Sequence, residues 1–239
     1  MSDAPTGTPP SRAGGPASDP PTDADRDAAA RGALYALVAR AATEPDEELY
    51  EALDSGGLDR ECRRLLDRTA LDVAPPDLTV DGSRADVCAR FNDLFVIGHT
   101  TVEDRTDGTI DAEGPTVSLY ESSYRPEASW NDVNLDLARA YDYFGVEVDT
   151  ERRENHDHLR LELEFAGFLC RREAAVDPDA ARARLDFLDR HLAVLAEGVA
   201  EALADEPATG YYGELADFCR RLVAADTDDL ADRLEGERA

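Results

Sequence analysis

The sequence contains no lysine. All 25 of its basic residues are arginine, set against 53 aspartates and glutamates, for a formal net charge of −28 over 239 residues. That shortage of positive charge excludes the basic surface a phosphate backbone needs, so nucleic acid is not an expected partner. Such a chain also repels itself unless salt screens the charges. The acids are spread through stretches with regular apolar spacing, a pattern that fits a halophilic, salt-rich interior. Long apolar runs are missing as well. No stretch approaches a membrane span, and the first residues lack the apolar core of a signal peptide, so a soluble cytoplasmic protein is expected. Cysteine is sparse: Cys62, Cys88, Cys170 and Cys219 lie far apart with no C-x-x-C pair. That argues against a zinc knuckle or redox pair and for buried free thiols. No Gly-x-Ser-x-Gly, P-loop or dinucleotide fingerprint occurs, and no Glu-x-x-His pair supports a di-iron bundle. Strand signals are nearly absent.

What is present is helical periodicity. Residues 1–24, rich in Pro, Gly, Ser, Thr and Asp, read as a disordered tail. Helices follow over about 25–42, with Leu34, Leu37, Val38 and Ala41 in register, then about 47–53 and 59–71. Ser83 and Asp86 form a capping box with a short acid, opening a helix that carries Val87, Phe91, Leu94 and Phe95. Residues 98–119 form a long interruption, of a length that is often functional, with a hairpin signal at Asp107-Gly108. Trp130 to Phe144 reads as a helix closed by Gly145. Pro178 opens a long helix with Leu185, Leu188, Leu192, Leu195 and Val199 on one stripe. A last helix spans about 211–225, and residues 227–239 read as an acidic tail or short helix. The expectation is an all-α fold, a single-domain bundle of seven to eight helices over 25–226.

The organising element is the stretch from His156 to Cys170. Its apolar residues surround the helix almost completely, which places it inside the bundle as a central helix over about 157–175. Asp157 stands where an N-cap acid would. Within this stretch, His156-Asp157 resembles the dyad of all-helical, metal-dependent phosphohydrolases, and His158 with Glu162 has zinc-like i, i+4 spacing. His99 is the remaining ligand candidate, but it falls in the long loop. Glu162 and Glu164, two apart on a helix, do not face each other as a catalytic pair would. A second unusual stretch, Tyr120-Glu121-Ser122-Ser123-Tyr124-Arg125-Pro126 followed by Trp130, has the aromatic and polar makeup of a peptide-anchoring surface.

Four ordered segments carry a more specific likeness: Phe91-Asn92-Asp93-Leu94-Phe95, Tyr120 to Tyr124, Tyr141 to Val146, and Asp157 to Phe165, with Tyr211 to Ala216 behind them. Together, over about residues 30–226, they resemble the TorD/DmsD/NarJ family of chaperones for molybdenum enzymes of the dimethyl sulfoxide reductase type. Three departures are visible: Phe91 where the family usually has Tyr, Ala166 where it has Met, and Asn155-His156 where a proline normally precedes Asp-His. The resemblance implies an all-helical cytoplasmic chaperone, not an enzyme, that uses no cofactor of its own. It implies as partner the apo-form of a molybdenum oxidoreductase catalytic subunit and its twin-arginine signal peptide, with cofactor insertion, assembly and export assisted. The chaperone would act as monomer or homodimer. The residues implied for peptide binding are Phe91, Leu94, Phe95, Tyr120, Glu121, Tyr124, Trp130, Asp157, His158 and Glu162. The competing readings are the phosphohydrolase built on His156-Asp157 and an assembly subunit that stays bound to its oxidoreductase.

Overall fold

The computed structural model describes residues 22–100, 112–148, 155–175 and 179–236. Nine α-helical segments are found among them: α1 Asp23–Ala41, α2 Glu47–Asp54, α3 Gly57–Leu66, α4 Arg84–Phe95, α5 Trp130–Tyr143, α6 Leu159–Ala175, α7 Ala180–Phe187, α8 Ala193–Ala204 and α9 Tyr211–Gly236. A π-helical turn, Leu188–Leu192, joins α7 to α8 without leaving helical geometry, so the two make one rod. The fold is all-α, as the periodicity predicts. Strand structure among the described residues is limited to a two-stranded antiparallel ribbon, β1 Gly98–Thr100 with β2 Ala112–Pro115, and an isolated bridge between Tyr120 and His158. The ribbon falls inside the predicted interruption. Its Asp107-Gly108 signal, like Pro178 and the bulk of the predicted N-terminal tail, lies outside the described residues.

Local signals set most helix ends. Thr22 caps α1 and exchanges hydrogen bonds with Asp25, and Ser83 does the same with Asp86 at α4, each satisfying otherwise orphaned backbone N–H groups. Gly145 follows α5 at φ +69°, the left-handed conformation that suits glycine after a helix. Two ends depart from the sequence reading. Helix α3 stops at Leu66, where the amides of Arg68 and Thr69 bond the carbonyls three residues back, Leu65 and Leu66, in place of those four back. Helix α9 runs without a break to Gly236 and carries Leu230 and Leu234 into the core, so the acidic C-terminal stretch is its final turns.

The core is built on α6 against α1, the most extensive helix pair in the fold. From Leu159 to Cys170 the helix is buried on nearly every side; Glu164 and Phe168 are the exceptions. Helices α7–α9 close the far side. There Arg31 of α1 and Arg184 of α7 converge with no exposed surface to speak of on Asp226 of α9, at 2.8 Å each, and Tyr35 donates to the same carboxylate at 2.8 Å.

Candidate peptide-binding groove

The knuckle ahead of α6 is fixed by main chain. The Leu159 amide donates to the Leu119 carbonyl at 2.8 Å, and the Glu121 amide donates to the Asp157 carbonyl at 2.9 Å. These bonds lay residues 119–121 alongside 157–159 as a short antiparallel pair, with the Tyr120 and His158 rings edge to face at 5.0 Å. The cap of α6 differs from the expected one. Asp157 turns away from its own helix and accepts the Ser122 amide at 3.1 Å, while His158 Nδ1 accepts the Arg160 amide at 3.2 Å. The acid thus secures the short 3₁₀ turn Glu121–Tyr124 instead of capping α6.

The sequence-predicted residues separate into three environments. His158 and Phe91 line a groove of about 710 Å³ between α1, the α1–α2 connection, α4 and the start of α6. Tyr120 stands beside it through its contact with His158. Glu121, Asp157 and Glu162 have no exposed surface and so do not face a ligand. Leu94 is buried and Phe95 partly so, and Phe95 packs with Phe91 and Tyr212 as an aromatic trio with centroids 5.2–5.9 Å apart. Tyr124 turns inward against α8, where Gly198 leaves room for its ring, and donates its hydroxyl to the Ser118 carbonyl at 2.7 Å. Trp130 is half exposed at the start of α5 and does not line the groove.

The groove has an apolar floor of Ala39, Ala42, Phe91 and Leu119 under an acidic rim of Glu44, Asp46, Glu48 and Glu164. Its two arginines are already engaged: Arg40 with Asp46 at 2.5 Å, Arg160 with Glu164 at 2.6 Å. Glu44 and Glu48 have no ion-pair partner among the described residues. The rim therefore presents negative charge over apolar surface, the chemistry that receives an arginine-bearing, partly apolar segment. Sequence reasoning passed over the acids of the α1–α2 connection; the run Glu44-Pro45-Asp46-Glu47-Glu48 just after α1 was their signal. It also passed over His191, the fourth histidine, which sits on the π-helical turn and faces Glu121 at 3.0 Å.

Burial pushes the thiols of Cys62, Cys170 and Cys219 up to about 12, so they are poor nucleophiles. No three His, Cys, Asp or Glu side chains among the described residues converge as a metal site would require. The His156 ring packs on the ring of Tyr141 with centroids 5.9 Å apart, while Asp157 has no exposed surface and accepts the Ser122 amide.

A family model described as "Nitrate reductase delta subunit" matches residues 59–201, more than half the chain. The chain belongs to the nitrate reductase delta subunit family. Within this family setting it is similar to the perchlorate reductase assembly chaperone protein of Dechloromonas aromatica, 29% identical over 84% of this chain and 90% of the relative. It is also similar to the selenate reductase assembly chaperone protein of Thauera selenatis, 43% identical over 33% of this chain and 44% of the relative. The chlorate reductase assembly chaperone protein of Ideonella dechloratans is 38% identical over 41% of this chain and 54% of the relative. The matched segments thus span about half the length of the selenate and chlorate relatives and most of the perchlorate one.

Proposed function

We propose that this member of the nitrate reductase delta subunit family is an assembly chaperone, not a catalyst, for a molybdenum oxidoreductase catalytic subunit. In this reading it binds the apo-subunit in the cytoplasm, takes its twin-arginine signal segment in the groove beside His158, and assists cofactor insertion before export. The observation that carries the peptide part is the groove itself. Uncompensated Glu44 and Glu48 stand above an apolar floor, so a segment with adjacent arginines followed by apolar residues finds a partner for each half. The three relatives, all named as reductase assembly chaperones, support the client class.

The test is calorimetric titration of a synthetic twin-arginine signal peptide into wild type, Glu44→Gln/Glu48→Gln and Phe91→Ala, each first shown to be folded. The double variant should lose affinity at low salt and little in molar KCl, because exposed charges are screened there. Truncating the aromatic floor residue should cost about 2 kcal/mol, roughly thirtyfold, at either salt. Equal affinity in all three proteins would place the peptide elsewhere, and no binding to wild type would remove the signal-peptide reading.

A further inference from the structure

Three carboxyl groups meet without exposed surface where the 119–124 segment lies on the start of α6: Glu121, Asp157 and Glu162. Donors are shared unequally among them. Glu121 takes Arg125 Nε and His191 Nδ1, the latter 3.0 Å from its Oε2. Asp157 takes the Ser122 amide. Neither oxygen of Glu162 has a donor, and the Tyr141 hydroxyl of α5 is already given to the His156 carbonyl. Positive charge is equally scarce. Arg125 is the guanidinium on the cluster and also donates to the Arg190 carbonyl. His191 is shared with Asp136 of α5 at 3.3 Å, and Arg190 is held outside by Asp136 and Asp186. From α9, Cys219 approaches Glu162 as a neutral thiol.

A dry site with one guanidinium and one imidazole does not keep three carboxylates ionised. One retains its proton, and the carboxyl without donors is the one that gains most by doing so. A protonated Glu162 has an O–H to give, and Glu121 beside it is the acceptor. Burial, then the charges of Glu121 and Asp157, hold the Glu162 carboxyl well above the usual range.

We propose that Glu162 is a positioning residue: as a neutral acid it latches the 119–124 segment to α6, and so sets the groove wall made by Leu119 and the Tyr120–His158 pair. The effect on peptide binding rests on the groove reading above; the latch itself does not. Raising the pH removes the proton, adds a third buried negative charge and loosens the segment. A glutamine at this position keeps a donor for Glu121 and has no proton to lose.

The experiment is hydrogen exchange of the Glu121, Ser122 and Leu159 amides in full-length wild type and Glu162→Gln, from about pH 6 to pH 9 in molar KCl, with intrinsic exchange rates divided out. Twin-arginine peptide affinity is measured over the same range. Wild-type protection and affinity should fall by roughly tenfold or more across it, while Glu162→Gln stays level. Protection in wild type that does not change with pH, or the same fall in both proteins, overturns the latch. Protection that follows pH only in wild type, with no peptide bound at any pH, upholds the latch and overturns the groove reading instead.

Discussion

Gly32 and Gly167 face each other where α1 crosses α6, so closely that a β-carbon on either would lie 3.0 Å from the carbonyl oxygen of the other. Backbone oxygens on two packed helices cannot retreat as a side-chain tip can, so the crossing distance of the central pair depends on hydrogen at both positions. Valine at Gly167 should therefore cost about 1–3 kcal/mol through overpacking, despite its better helix propensity. Thermal unfolding of Gly167→Val followed by circular dichroism checks this: a melting temperature equal to that of wild type would show that the helices part without cost.

Gly198 plays the same part for one aromatic ring. A β-carbon there would overlap the ring of Tyr124, so Gly198→Ala should displace the tyrosine and lower stability by about 1–3 kcal/mol. Adding Tyr124→Leu to Gly198→Ala should recover part of that loss, since the second change removes the atoms in conflict. Denaturant unfolding of the two single variants and the double variant measures the coupling. Simple additivity would mean that the two positions do not interact.

Asp226 gathers Arg31, Arg184 and Tyr35 in a place without solvent. Asp226→Asn leaves two buried guanidiniums short of their shared counter-charge, and removing one partner of a buried pair costs about 3–5 kcal/mol. The loss should be concentrated in the C-terminal half of α9. Limited proteolysis should then cut that half early in the variant and late in wild type.

Salt should act on the molecule as a whole. With a net charge of −28, self-repulsion falls as ionic strength rises, so the melting temperature should climb steadily from millimolar to molar KCl. Differential scanning calorimetry over that range decides the matter, and a level or falling curve would show that the acidity is not an adaptation to salt.

The sequence by itself determined what depends on neighbours within a few residues. The capping box of Ser83–Asp86 and the left-handed Gly145 both answer to groups on the same turn of chain, as does the Thr22–Asp25 box, although composition alone assigns Thr22 to the tail. The all-round apolar run from Leu159 to Cys170 likewise had no stable place except inside a bundle. Tertiary structure decided which distant partner each polar group found. Asp157 stands just ahead of a helix whose first amides go to Leu119 and His158, and it accepts the amide of Ser122, 35 residues back, where residues 119–121 lie alongside 157–159. Helix α9 continues to Gly236 because Leu230 and Leu234 find a core and Asp226 finds arginines from α1 and α7. The groove follows the same rule: its acids come from the α1–α2 connection, the start of α2 and α6, its floor from α1, α4 and Leu119, and its histidine from the head of α6. No local pattern relates segments so far apart; only the packing of α1 on α6 brings them together.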